Sequence, residues 1–196
     1  MTSNDNSVNI KSYHHGDLRS ALIAEGLRLL SIGDAEHLSL REIARNVGVS
    51  ATAVYRHFPD KQALLSALAA MGGDMIAEQQ LEAQQAAGGG QAGFNATGAV
   101  YARFALANPA LFRLMMARTR EDAPGDPDDI CLTGLGLLRQ NVASLAAPDA
   151  SDDEQRVSAI KAWAMVHGLA MLMLDGQIQV DDAIIDAVIG PPATRN

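Results

Sequence analysis

Residues 38–65, LSLREIARNVGVSATAVYRHFPDKQALL, are the stretch that leaves this chain the fewest folds. The spacing predicts a helix, a tight turn, a second short helix and the start of a third. Ser39 with Glu42 three residues on has the form of a capping box. The helix it opens ends at Gly48, where a left-handed backbone costs little without a Cβ. Ser50 is placed to cap the next helix through its hydroxyl, and that helix ends near Phe58. Pro59-Asp60 then starts another. Ala44 is small where the second helix must come close, and Ile43, Val47, Val49 and Val54 are apolar where both helices face an earlier one. Each signal alone fits an ordinary helical hairpin with a glycine cap. The hairpin reading does not account for the short, polar exposed side of residues 50–57. Together the signals spell a helix-turn-helix, a unit that pushes its second helix into the major groove of DNA.

Helical geometry sorts that exposed side. Ala51, Thr52 and Tyr55 fall together near the start of the second helix. Thr52 can donate to a base edge or touch a thymine methyl, and Ala51 can pack on such a methyl. Tyr55, Arg56, His57 and Lys61 are better placed for backbone phosphates. Lys61 also stands in the first turn of the following helix, whose free N–H groups and dipole attract an anion. The alternative for Tyr55 is partial core packing, and for Arg56 a solvated surface position. No Asn, Gln or Arg stands at the leading positions, so each half-site is expected to be read modestly. Two copies on double-stranded DNA carrying an inverted repeat would supply the remainder.

The net charge of −8 looks wrong for this role until it is divided. Residues 1–70 hold seven Lys/Arg against seven Asp/Glu, whereas residues 71–196 hold eight against sixteen, so the acidic excess lies in the second part, away from phosphates. Ala and Leu dominate and aromatic residues are 4% of the chain, which favours an all-α fold. Cys131 is the one cysteine, so no intrachain disulfide can form, as suits a reducing compartment. Residues 1–17 lack the apolar run of a signal peptide. The apolar run at residues 162–174 falls short of the ~20 residues that span a bilayer. The expectation is a soluble, cytoplasmic protein with no membrane partner.

Periodicity divides the rest. A flexible arm is expected over residues 1–12, a helix-turn-helix domain over 13–66, a second helical domain over 67–190 and a tail over 191–196. Helices are predicted at about 17–32, from Pro59-Asp60 to about 87, and at 94–107, 110–118, 130–146, 152–174 and 181–189. Residues 88–93 read as a flexible loop and 121–129 as an acidic turn. No repeat is visible and nothing argues for a sheet.

The stretch IARNVGVSATAVYRHFPDKQALL closely resembles the DNA-binding domain of the tetracycline-repressor (TetR) family of bacterial regulators. The shared pattern is an Ile-Ala pair, a Gly-Val-Ser turn, a Tyr-x-His-Phe helix end and a Lys that starts the fourth helix. The resemblance covers residues 13–68. It implies a three-helix N-terminal domain and a larger C-terminal domain that dimerises and holds a small ligand, most members being repressors released by that ligand. It also implies that Ser39 and Arg41 lie near phosphates and that Ala51, Thr52 and Ala53 face bases. Tyr55 and His57 correspond to a phosphate-contacting pair, and Lys61 to the phosphate contact of the fourth helix. Tyr13-His14-His15-Gly16 is similar to the lead-in of the first helix in one branch of the family. Two positions depart: Gly26 where Ala is usual, weakening the first helix by roughly 1 kcal/mol, and Gln62 where Glu is usual.

Residues 162–174, AWAMVHGLAMLML, are apolar all round if helical and predict a helix buried on every side. One face gathers Ile160, Trp163, His167, Ala170 and Leu174; Ala164, Gly168 and Leu172 share another. The small residues make the second face the expected subunit contact and the Trp163/His167 side the expected pocket wall. Trp163-x-x-x-His167-Gly168 also resembles a signature of one group of TetR-type C-terminal domains. For His167 the alternative is a core histidine bonded to a neighbouring carbonyl. Met115, Met116, Met165, Met171 and Met173 are soft residues that suit an adaptable cavity for a small lipophilic effector, although such spacing also fits plain core. Phe104, Phe112 and Leu138 are further candidate wall residues.

No cofactor or metal is expected: the sequence offers no nucleophile–base set, no phosphate-cradling glycine motif followed by Lys, and no second His or Cys near His167. That argues against an enzyme. The remaining alternative is a TetR-like helical adaptor that binds protein rather than DNA. Gly72-Gly73, inside the helix that joins the two domains, reads either as a bend or as a site of close packing.

Overall fold

A computed structural model describes residues 15–117 and 134–190, with side chains from Leu18 and Gly136 onward in the two stretches. The arm, Tyr13-His14, the acidic turn at 121–129, Cys131 and the tail lie outside the described residues. Among the described residues the fold is all-α, with no strand.

The helices are α1 (His15–Leu30), α2 (Leu40–Val47), α3 (Ala51–Tyr55), α4 (Lys61–Ala86), α5 (Gly90–Ala107), α6 (Pro109–Met116), α7 (Gly134–Leu145), α8 (Asp152–Leu174) and α9 (Asp182–Ile189). The first three form a small bundle closed by α4. Leu22, Ile43, Val54, Phe58 and Leu64 are fully buried at its centre. Gly48 ends α2 at φ 78° and its N–H bonds back to Arg45, so the turn uses the left-handed conformation its sequence anticipates. Ser50 Oγ accepts from Ala53 N, capping α3, and Asp60 caps α4 through Ala63 N at 2.7 Å. The capping box expected at Ser39 does not form: Ser39 occupies the cap position without a side-chain hydrogen bond, and Glu42 faces Arg45 instead, at 3.8 Å. A full capping box occurs at Ser151 and Glu154, where α8 begins.

Gly26 has a packing reason. A Cβ there would come within 2.9 Å of Leu68 Cδ2, so the space of the missing methyl is filled by the leucine of α4. Between α4 and α5 the expected loop is shorter than predicted. α5 begins at Gly90, and only the positive-φ turn around Gly88 and Gly89 separates the helices.

The larger unit packs α5 between α4 on one side and α8 on the other, with α6, α7 and α9 against them. Its core includes Ala102, Phe104, Ala105, Phe112, Ala170 and Ile185. Arg103 on α5 ties down α9 with bonds of 2.8 Å to both Asp182 and Asp186. Those carboxylates raise the Arg103 pKa further, with the Asp182 hydrogen bond as the main cause. Arg113 on α6 reaches Asp175 at the end of α8, at 2.6 Å.

Within one subunit α8 is covered along one side only, and its small-residue face stays open, as the reading of that face as a subunit contact requires. Ala159, Val166, Leu169, Ala170 and Met173 are buried, but Val157, Ile160, Met165 and Leu172 are exposed. Ile160 and Met165 are therefore open to solvent rather than walls of a cavity. α8 is 23 residues long and holds an 18-residue window of mean hydropathy 1.6, enough to cross a membrane by length and composition alone. In this fold it packs against α5, α7 and α9.

Candidate nucleic-acid interface and ligand cluster

The reading head exposes a compact polar face. Thr52 and Arg56 are exposed, Tyr55 is 44% exposed, and Ala51 and His57 are half-buried. Arg41 is exposed on α2, and Ser39 is half-buried at its start. Ala53 is half-buried and packed against the core of the bundle, so its methyl is partly spent inside the fold. Ser50 is exposed with its hydroxyl committed to the α3 cap. The Lys61 ammonium donates to the Glu36 carbonyl in the α1–α2 connection, holding that loop against α4. That bond uses one of the three ammonium N–H donors and leaves two for another acceptor.

Several side chains that sequence reasoning missed set the angle of this head. Glu25 on α1 accepts from Arg28 at 2.7 Å and from Asn46 on α2 at 2.7 Å, clamping the two helices. The Arg28 bond is the main reason that the Glu25 carboxyl titrates below its ordinary value. Arg19 lies 5.4 Å over the Phe58 ring, a cation–π contact across the bundle.

In the larger unit Phe112, Trp163 and His167 meet around a residue the sequence did not single out, Tyr101 on α5. Its ring stands edge-on to Phe112 at 5.5 Å, and Trp163 and Phe112 lie 5.8 and 5.9 Å from His167. Trp163 Nε1 donates to the Tyr101 hydroxyl at 3.2 Å, and that hydroxyl lies 3.0 Å from His167 Nδ1. An indole N–H can only donate, so the tyrosine oxygen accepts there, and its one hydrogen is shared between the imidazole and the Met116 sulfur. His167 thus bonds a hydroxyl rather than the carbonyl expected of a core histidine. Burial of the ring lowers its pKa, favouring the neutral form that this arrangement uses. The signal that could have found Tyr101 was its place three residues before Phe104 on one face of α5.

Met116 lies 3.8 Å from the Tyr101 hydroxyl through its sulfur. Met115 and Phe104 are buried, as is Ala170. Leu138 is half-buried on α7. Met115 turns toward α4, where a Cβ on Gly72 would stand 2.7 Å from its sulfur. Of the two readings of Gly72-Gly73, close packing is the one Gly72 supports, since α4 runs through both glycines unbroken. Ala164 and Leu172 are exposed on α8 and Gly168 is half-buried, with open space where its Cβ would stand. No group of His, Cys, Asp and Glu suited to a metal occurs among the described residues.

Two family profiles match this architecture. Residues 22–68 match the bacterial regulatory proteins of the tetR family, and residues 94–189 match a tetracyclin repressor-like C-terminal domain. The chain belongs to the TetR family. A protein of unknown function from Rhodococcus sp. RHA1 shares 33% identity and a TM-score of 0.75, over 91% of this chain and 95% of that one. NalD, the secondary repressor of the MexAB-OprM multidrug efflux pump in Pseudomonas aeruginosa, shares 18% identity and a TM-score of 0.56, over 89% and 92%. A TetR variant from Acinetobacter baumannii AYE, solved with minocycline, shares 19% identity and a TM-score of 0.57, over 91% and 95%. The last two likenesses concern the fold alone. The comparison with curated proteins returns no relative. As a TetR-family chain with a DNA-binding helix-turn-helix domain, the protein is a transcriptional regulator.

Proposed function

We propose that this regulator is a repressor that binds an inverted repeat as a homodimer and is released when a small lipophilic molecule enters the cluster of Tyr101, Phe112, Trp163 and His167. The observation that carries the reading is the double use of α6. Phe112 and Met116 face the aromatic cluster, while Leu111 and Met115 pack on Gly72 of α4. α4 in turn begins at Lys61, joined to the recognition helix by residues 56–60. A ligand that displaces Phe112 or Met116 must move α6, and α6 cannot move without pressing on α4.

The dimer contact is proposed along the exposed apolar stripe of α8, through Ile160, Ala164, Gly168 and Leu172, continued by Ile184 and Val188 on α9. The proposed DNA contacts are Thr52 and Ala51 to bases, and Arg41, Tyr55, Arg56, His57 and Lys61 to phosphates.

The test couples two readouts in one titration. Trp163 is the one tryptophan of the chain, so its fluorescence reports on the cluster directly. Apolar aromatic compounds are screened for a Trp163 emission change and for release of the protein from its selected operator. Compounds that produce both support the reading. Compounds that change Trp163 emission and leave operator affinity untouched contradict it.

A further inference from the structure

We infer a second small-molecule site, remote from the aromatic cluster, in the groove between the C-terminal end of α4 and α7, where a neutral ligand bearing a carboxamide edge completes the unpaired Gln84–Asn141 amides. The groove is shallow and open to solvent, offers about 560 Å³, and is walled by Leu81, Leu137, Ser144 and the backbone of Gly88 and Gly89. That size falls within the range of small-ligand pockets, roughly 300–1,000 Å³. Gln84 and Asn141 contribute to its lining as well.

Gln84 Nε2 donates to Asn141 Oδ1 at 2.6 Å. That single bond leaves Gln84 Oε1 and Asn141 Nδ2 buried with no partner. Exchanging oxygen and nitrogen in both amides reverses the bond and still leaves one donor and one acceptor unmet. Asn141 is 4% exposed, so bulk water does not satisfy it. One turn earlier on α4, Gln80 is 6% exposed and donates to the Thr97 carbonyl, and its own oxygen is also unpaired. Buried polar atoms without partners are uncommon in folded proteins, and the pair on the two groove-lining amides points to a missing group.

The side chains are held rather than loose. Gly93 of α5 abuts Gln84, since a Cβ there would lie 3.0 Å from Gln84 Cγ and 3.2 Å from its carbonyl oxygen. Gly88 and Gly89 have φ of 80° and 73°, and open space lies where their Cβ atoms would be, so the rim stays bare.

The chemistry of the orphans selects the ligand. A carboxamide offers a carbonyl to Asn141 Nδ2 and an N–H to Gln84 Oε1. A carboxylate would satisfy the first and repel the second, and no charged side chain lines the groove to offset its desolvation. Leu81 and Leu137 favour an apolar body behind the amide. The site is separate from the aromatic cluster, with Tyr101 about 12 Å further along α5 than Gly93 by helix rise.

The test follows the side-chain amide signals of Asn141 and Gln84 in ¹H–¹⁵N spectra of the full chain. Benzamide is the probe, with methyl benzoate and benzoate as controls. Benzamide should shift both signals with a Kd on the order of 1 mM, as its small size allows. The two controls should bind about tenfold more weakly, the loss expected from an unmet hydrogen bond. The double variant Gln84→Met, Asn141→Leu, followed instead by the backbone amide signals of Gly88 and Gly89 on the groove rim, should lose benzamide binding with an unchanged or higher Tm, because it removes orphaned groups along with one bond. Equal shifts by all three compounds, or none by benzamide, would overturn the proposal on the unaltered protein. Benzamide binding that survives in the double variant, or a lower Tm, would overturn it from the other side by marking the amides as structural.

Discussion

Gly72 of α4 and Met115 of α6 touch at a point where neither helix can yield a methyl group: a Cβ on Gly72 would lie 2.7 Å from the Met115 sulfur and 3.1 Å from Leu111 Cγ. Gly72→Ala therefore inserts a methyl into a filled contact. Overpacking costs about 1–3 kcal/mol, and the better helix propensity of Ala returns about 1 kcal/mol. The expected net loss is about 0–2 kcal/mol, read by urea unfolding. The same variant should shift operator affinity in the absence of any ligand, since it pushes α6 away from α4. An unaltered operator affinity at lowered stability would detach α6 from control of the reading head.

Tyr101→Phe removes the oxygen that receives the Trp163 N–H and faces His167 Nδ1. Both partners are half-buried, so water can replace part of what is lost, and the expected cost is about 1–2 kcal/mol. Trp163 emission should shift as its N–H finds solvent. Emission and stability identical to the unaltered protein would contradict the hydrogen-bonded arrangement.

His167 gives the stability a pH dependence with a defined sign. Burial holds its folded-state pKa below the ordinary histidine value of 6.5. The unfolded chain then takes up the proton first. The contribution of a neutral His167 is complete above pH 6.5 and is lost as the pH falls from there toward the lowered folded value. His167→Phe should flatten this part of the Tm profile, and the difference between the two profiles isolates the residue. The lowered carboxylates Glu25 and Glu154 act in a separate window, with stability lost only as the pH drops below their ordinary value of 4.5.

The exposed stripe of α8 predicts the assembly. Leu172 is 47% exposed, so Leu172→Arg should leave the folded subunit intact while placing a charge in the proposed contact. Together with Ala164→Arg it should convert a dimer to a monomer in sedimentation velocity and weaken operator binding. A dimer that persists in the double variant would move the contact elsewhere.

The reading head was legible because its constraints are local. Gly48, Ser50 and Asp60 each fix a backbone geometry that neighbouring residues alone require, and the structure places them accordingly. Ser39 shows the limit of that logic, since the capping-box pattern is present and the bond is absent. The larger unit was legible only as helices. Helical periodicity says that α8 is apolar on all sides but not which part its own chain covers, so Ile160 shares a face with Trp163 and is nevertheless exposed. Tyr101 escaped notice because its partners lie more than sixty residues away, on α8. The glycine-rich segment reads as a loop because Gly has weak helix propensity, whereas α5 already begins at Gly90 and close packing of Gly93 on Gln84 of α4 fixes its first turn.

Selection of bound sequences from random duplex DNA tests the central claim most directly, run beside a Tyr55→Ala, Lys61→Ala variant. The account predicts a palindromic motif whose half-sites lie one or more helical turns apart. Enrichment should be lost in the variant, and binding should fall steeply as salt rises. No enrichment at either low or moderate salt, or a motif without two-fold symmetry, would contradict it.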